Sequence, residues 1–335
     1  MNKTVVTGQQ IGLLGGPLYT TYKVLGAVCL ARKIKGRAVY WLETNDADFD
    51  EINHVDYIDS GGKLRKLTWD INSRGYSVGY IEVDRKLVSL VRNFFDSLRQ
   101  TEFTPNLKAM ALEAYSLGRT LGQASADLAR SLFGRFGIEI FDPRHEDFLK
   151  ASRDILVREA ERTREGQQCN LFSMRDKKRM AVFRGESGFH DRNGYPVDLN
   201  KFDLVPNVKT RNLIQDRFFK THTYVAGPSE VQYIGELDDM YAFHRVSKPE
   251  IEGRMSLILI EPKISRVLLK MGIDISEILL SGKDDFLKQM VKTFTDFDHR
   301  EVMESSQDLS RDLLASLEKL GLDTRMIGRS LDLTI

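Results

Sequence analysis

The stretch from Thr4 to Lys33, TVVTGQQIGLLGGPLYTTYKVLGAVCLARK, constrains everything that follows it in this chain. A β-branched run (Thr4, Val5, Val6, Thr7) leads into a loop carrying Gly8, Gly12, Gly15, Gly16 and Pro17, and then into a helix. Leu18, Tyr22, Leu25, Cys29 and Ala31 recur at helical spacing, which predicts one buried face, with Cys29 in the core and Gly36 as the stop. Strand, glycine loop and helix open an α/β fold. They set backbone N–H groups and the positive end of a helix beside the strand's carboxyl end, where an anion is the natural guest. The loop is neither a Walker A motif nor GxGxxG. Its distinctive content is Gln9 and Gln10 in the turn, whose amides both donate and accept, followed by Gly-Pro-Leu-Tyr19-Thr20 before the helix and Lys23 one turn into it. The amides either meet a polar substrate or tie down the loop backbone.

Ala38 to Leu42 (AVYWL) is apolar without alternation, which predicts a buried strand parallel to the first and a right-handed βαβ unit. An acidic run follows at once: Glu43-Thr-Asn-Asp-Ala-Asp-Phe-Asp-Glu-Ile-Asn-His54. Ligands of open α/β sheets bind outside the carboxyl ends of the strands, so both polar segments should face one pocket. Asp46, Asp48 and Glu51 are candidates for holding an amine, taking its proton or holding Mg²⁺ beside phosphate, with Asn45 and His54 as hydrogen-bonding partners. The alternative for the acidic run is a first helical turn favoured by the macrodipole.

Further along, residues 57–59 and 63–70 flank Ser60-Gly61-Gly62 as a hairpin, and residues 77–83 read as another strand. Helices are expected over 87–98, over 107–136 with interruptions at Gly118, Gly122 and Gly134, and over 146–165; a short strand precedes the last of these at 138–141. From 167 to 201 the texture changes to short strands and turns. His190 there has no second ligand at metal spacing, so no metal site is expected. Another block, Val205 to Asp216 and then Thr223-Tyr-Val-Ala-Gly-Pro-Ser-Glu230, is again a strand, a Gly-Pro turn and a helix start. Asn207, Arg211, Gly227 and Glu230 are its candidates, Arg211 as a bidentate partner for a carboxylate or phosphate or as one half of a structural ion pair. Residues 276–295 and 308–320 read as amphipathic helices, the latter with Leu309, Leu313, Leu314 and Leu317 on one stripe.

TGQQIGLLGGPLYTTYK, then a strand, then ETNDADFDEINH, and later VPNVKTRNLIQD with TYVAGPSE, resemble the bacillithiol biosynthesis cysteine-adding enzyme family in order and kind. The resemblance covers most of residues 4–272. It implies a Rossmann-like core of the nucleotidyltransferase type with a connecting-peptide insertion and carboxyl-terminal helices that make a coiled-coil homodimer. In residues, this is a core at 1–166 and 202–272, the insertion at 167–201 and a helical segment at 273–335. It implies a ligase joining cysteine to glucosaminyl-malate, with ATP and Mg²⁺ as the usual means of carboxyl activation. Gln10, Asp46 and Asp48 are then catalytic, and Gln9, Gly12, Gly16, Tyr19, Thr20, Lys23, Asn45, His54, Asn207, Arg211, Gly227 and Glu230 bind substrate or nucleotide. There are departures: where the family has Thr-Glu-Asp-His-Asp-Phe, this chain has Thr44-Asn45-Asp46-Ala47-Asp48-Phe49, and no KMSKS-type loop is evident. A relative that binds such metabolites without turnover, or an amide ligase or nucleotidyltransferase with another substrate, stays open beside the ligase.

Charge excludes a polyelectrolyte partner, because Lys and Arg number 49 against 48 Asp and Glu with no basic cluster. The apolar runs are too short to span a bilayer and Met1-Asn2-Lys3 leads straight into a strand, so the expected setting is cytoplasmic, without nucleic acid or membrane. Cys29 and Cys169 form neither a CxxC nor a disulfide framework.

Overall fold

The computed structural model describes residues 3–201, 203–282, 284–288 and 311. The chain divides into two units, Met1–Leu257 and Ile258–Ile335. In the first, β1 (Thr4–Gln10), α1 (Leu18–Lys33) and β2 (Arg37–Glu43) form the expected βαβ unit. They are followed by a short α2 (Phe49–Ile52) and the hairpin β3 (His54–Ile58) and β4 (Leu64–Thr68). The helices α3 (Arg85–Ser97), α4 (Thr104–Ala114) and α5 (Leu121–Phe133) come next, then β5 (Ile138–Phe141) and α6 (Glu146–Arg162). An inserted sheet contains β6 (Gln168–Arg175), β7 (Lys178–Gly185), β8 (Gly188–Asp191) and β9 (Asp203–Pro206). The chain returns through α7 (Val208–Phe219) to β10 (Thr221–Ala226), α8 (Pro228–Gly235), α9 (Asp238–His244) and β11 (Glu250–Gly253).

The central sheet runs β11-β10-β1-β2-β5, and every neighbouring pair is parallel. Such a sheet must be covered on both faces, and alternate residues divide between two cores. Val5, Tyr40 and Leu42 face a core shared with α1 and the α3–α5 helices. Val6, Val39 and Trp41 face one shared with α6 and α7 and continued into the inserted sheet by Leu171 and Val182. The α/β Rossmann-like class is therefore observed. The inserted sheet is antiparallel in the order β8-β7-β6-β9, and β9 pairs with β6.

Four local expectations change. First, β1 runs on through Gln10, so Gly8, Gln9 and Gln10 lie on a strand and the turn begins beyond them. Leu14, Gly15 and Gly16 then take positive φ in a short 3₁₀ turn. Second, α1 buries Thr20, Lys23, Val24, Ala27, Val28 and Ala31, while Leu18 is 55% exposed and Cys29 is exposed. The helix is apolar nearly all round, and the face bearing small residues lies against the sheet because it permits close approach. Third, the left-handed residue after α1 is Lys35, not Gly36. Lys35 and Gly36 N–H groups return to Arg32 and Ala31 carbonyls in a Schellman arrangement. Gly36 is required for another reason: a Cβ there would lie 2.2 Å from the Lys3 carbonyl oxygen. Fourth, residues 78–80 form a 3₁₀ turn in place of the strand expected over 77–83. Its N–H groups are committed across the structure, Val78 to the Asp46 carbonyl at 2.7 Å and Gly79 to the Thr44 carbonyl at 2.9 Å.

In the second unit, α10 (Pro262–Met271) ends on left-handed Gly272, and α11 (Ile275–Ser281) opens on Asp274, which caps the Ser276 N–H. The rest of the helix expected over 276–295 beyond 288, and that over 308–320 apart from 311, lie outside the described residues.

Replacing Gly36 with Ala forces β1 and β2 apart at their starts. Urea unfolding of Gly36→Ala should show a loss of about 1–3 kcal/mol, the range for overpacking a tight site; an unchanged midpoint would mean that the strand ends yield freely.

Candidate functional site

A cavity of about 900 Å³ opens at the carboxyl ends of the parallel strands. It lies where the sheet order reverses between β1 and β10, the place where open α/β sheets take ligands. Gln9 and Gln10 reach it from β1, Tyr19 and Lys23 from α1, Glu43 and Asp46 from the end of β2, and Asn207 and Arg211 from α7. Gly227, Ser229, Glu230 and Tyr233 come from the turn into α8, Arg254 from the end of β11, and Phe172 and Arg179 from the inserted sheet. Both sequence signatures thus share one cavity.

Its floor is a network of buried charge. Lys23 is 2% exposed and donates to the Gly8 carbonyl at 2.6 Å and to the Glu230 carboxylate. Glu230 also accepts from the Tyr224 hydroxyl at 2.7 Å and the Gly227 N–H at 2.6 Å. Arg211, 7% exposed, donates to Gln215, Asn212, Tyr224 and Tyr233 and lies 3.8 Å from Glu43 and 3.9 Å from Glu230. A Cβ on Gly8 would come 3.1 Å from the Arg211 guanidinium, so a side chain at position 8 would press on this network. Burial pushes the Lys23 pKa down, and the Glu230 charge only partly offsets it. Burial also pushes Glu230 up, but Lys23, Arg211 and the Gly227 N–H more than offset that and hold it below the usual range. Lys23 and Arg211 are committed to this network.

A second cluster forms the wall. Asp46 accepts from Gln10, from Arg179 at 3.0 Å and from the Ala47 N–H at 2.7 Å. The Gln10 amide also donates to Glu51 at 2.9 Å. Burial works to raise the Asp46 pKa, but the Gln10 hydrogen bond, the Arg179 charge and two backbone N–H groups prevail, so it is held below its ordinary value. Such a carboxylate is a clamp rather than a ready base. Glu43 differs: it accepts from the Trp41 indole N–H at 3.0 Å and the Asn45 N–H at 3.2 Å, and burial raises its pKa despite Arg211.

The cavity leaves out several sequence candidates. Asp48 caps α2 through the Glu51 N–H, and His54 bonds the neighbouring Asn53. Gly12 and Gly16 border a separate, mostly apolar cavity of about 220 Å³. Thr20 is buried off the lining, as is Asn45, whose side-chain amide has no hydrogen-bond partner among the described residues. Asn207 lines the cavity and caps α7, accepting from the Lys209 and Thr210 N–H groups.

Sequence reasoning did not pick out Glu43, Arg179 or Arg254 as site residues. Arg254 follows the last parallel strand and stacks 4.6 Å from the Tyr19 ring; no carboxylate among the described residues pairs with it. Its signal was positional, a cation at a strand's carboxyl end, and needed β11 to be recognised. Arg179 had no local signal, because only the fold of the insertion brings it to Asp46. No group of three His, Cys, Asp or Glu among the described residues is placed to hold a metal ion, and no helix among them is long and apolar enough to cross a membrane.

The lowered Asp46 pKa fixes a pH dependence. Its contribution to stability is present above the unfolded carboxyl pKa of about 4 and is lost as pH falls through the lower folded value. Asp46→Asn should therefore be less stable at pH 7 by about 1–3 kcal/mol, with the gap closing below about pH 4 in urea titrations. A gap that stays constant with pH would show that the charge contributes nothing.

Comparison with known proteins agrees with the Rossmann-like fold. The family description "Bacillithiol biosynthesis BshC, N-terminal Rossmann-like domain" matches residues 1–178 and 158–255. Relatives named "Putative cysteine ligase BshC" include one from Chloroherpeton thalassium, 27% identical over 83% of this chain and 57% of the relative. One from Chlorobaculum tepidum is 27% identical over 95% and 62%, and one from Salinibacter ruber 29% over 82% and 57%. The chain thus spans about three fifths of the length of these relatives. With the family description covering most of the sequence, its Rossmann-like domain present in the fold and both signatures meeting in one cavity, the chain belongs to the bacillithiol biosynthesis BshC family.

Proposed function

We propose that this chain acts as a ligase that adds cysteine to glucosaminyl-malate, forming an amide bond. The observation that carries the reading is the cavity between β1 and β10, where both family signatures meet and amides, carboxylates and the Arg254 guanidinium converge on a polar ligand. Gln9 presents an amide at one side. Arg254 stands beside the turn into α8, whose Ser229 also lines the cavity, so this corner suits the malyl carboxylates. The Glu230 carboxylate does not repel such a guest strongly, because Lys23 and Arg211 neutralise it. The Gln10–Asp46–Arg179 clamp fixes the acidic wall near the glucosamine amine. ATP with Mg²⁺ supplies activation of the cysteine carboxyl in this reading, and the chain's own part is to hold and orient the partners. A cytoplasmic setting, and a homodimer through the carboxyl-terminal helices, belong to the same proposal; the exposed Ile264, Val267 and Leu269 of α10 favour a partner surface.

A second reading, binding without turnover, is favoured by Asn45, an unpartnered buried amide in the run where the family carries a carboxylate. Mass spectrometry of the purified chain with cysteine, glucosaminyl-malate and Mg-ATP separates the two. Product supports the ligase. Retention of glucosaminyl-malate without product, when a longer relative makes product under the same conditions, gives the second reading. In either case Arg254→Ala should weaken glucosaminyl-malate binding by about 10- to 100-fold in calorimetry, the loss of one charge-assisted contact; unchanged affinity would remove Arg254 from the site.

A further inference from the structure

Four carboxylates line the cavity, and three of them are spoken for. Asp46 is saturated by Gln10, Arg179 and the Ala47 and Asp48 N–H groups. Glu230 is held by Lys23, Tyr224 and the Gly227 N–H. Glu51 sits at the exposed rim and accepts from Gln10. Of the three inner carboxylates Glu43 receives the fewest hydrogen bonds, one on each oxygen, and its side chain is 22% exposed. It stands at the carboxyl end of β2, directly across the register from Gln10 on β1.

We propose that Glu43 is the proton acceptor for the amine acylated in this cavity. The inference rests on the ligase reading and names the group that reading lacks. The neutral amine nitrogen gives its lone pair to the carbonyl carbon of an activated carboxyl, an acyl phosphate or acyl adenylate made with ATP. The new C–N bond forms as the C–O bond to the leaving phosphate breaks, with that electron pair departing on the phosphate oxygen. The surplus N–H proton passes to the Glu43 carboxylate and from there to solvent.

The surroundings tolerate both states of Glu43. Its charged form faces Arg211 of α7 at 3.8 Å, with Arg179 of β7 contributing more distantly. Asp46 on the adjoining loop opposes that charge, and Trp41 of β2 and Gln10 of β1 are neutral neighbours. When Glu43 takes a proton, Arg211 is not left uncompensated, because Glu230 lies 3.9 Å from it on the other side. Burial makes Glu43 a stronger base than a solvated carboxylate, whereas Asp46 and Glu230 are shifted the opposite way, the divergence that separates a base from structural anions.

The test compares the parent chain with Glu43→Gln, which keeps the Trp41 hydrogen bond, and Glu43→Asp, which keeps the carboxylate. With cysteine, glucosaminyl-malate and Mg-ATP, Glu43→Gln should lose about 100-fold or more in kcat while glucosaminyl-malate affinity changes by less than about threefold. Its kcat should also lose the acidic limb of the pH profile that Glu43→Asp retains. Glu43→Gln within about threefold of the parent in kcat, with the same acidic limb, overturns the proposal. If the parent itself makes no product while a longer relative does under the same conditions, the ligase reading fails and this proposal with it, an outcome distinct from an active Glu43→Gln, which overturns the proposal alone.

Discussion

The structure turns on a four-charge cluster buried under β1, in which Lys23 and Arg211 share the carboxylates of Glu230 and Glu43. Isolated, each of these ions would cost several kcal/mol to desolvate, and together they are tolerable only because the hydrogen bonds from Tyr224, Trp41 and the Gly227 N–H complete the set. That requirement reaches far into the sequence. Gly8 leaves space for the guanidinium, α1 brings a lysine to a face otherwise built of small apolar residues, and α8 begins where its third residue can reach back to both cations. The cluster couples β1, β2, α1, α7 and α8, which are the elements that frame the cavity. It defines the floor from which the functional groups rise.

Above that floor the site divides its labour by hydrogen-bond saturation. Carboxylates that receive several donors are fixed and ionised, and serve to place others. The one that receives the fewest has its pKa raised by burial. Asp46 and Glu43 lie three residues apart on one strand end and loop, yet Asp46 is drawn down by Gln10 and Arg179 and Glu43 is pushed up by burial. Proximity in sequence says little about which carboxylate can act.

The parallel pairing of β1 with β2, the βαβ unit, the hairpin and the meeting of polar segments at strand ends were legible because each depends on local pattern: β-branched runs, a Gly-rich turn, and polar residues beyond the strands. What escaped depends on tertiary context. Lys23 was a candidate ligand contact and Arg211 either that or one half of a structural ion pair; both line the cavity, and burial shows them also holding internal carboxylates. The 78–80 turn looked like a strand because its N–H groups serve carbonyls more than thirty residues away, which no alternation reports. Cys29 looked like core because α1 has no distinct polar face, so spacing alone could not say which side meets the sheet.

The lining of the cavity sets four cations, Lys23, Arg179, Arg211 and Arg254, among four carboxylates, Glu43, Asp46, Glu51 and Glu230. Such a chamber has little net potential, so it draws nothing in by sign, and a simple anion or cation meets repulsion as well as attraction. A molecule that carries both signs at a matching separation meets only the latter. Recognition then depends on the distance between charges within the guest, and dissolved salt, which blurs long-range attraction, has little to blur.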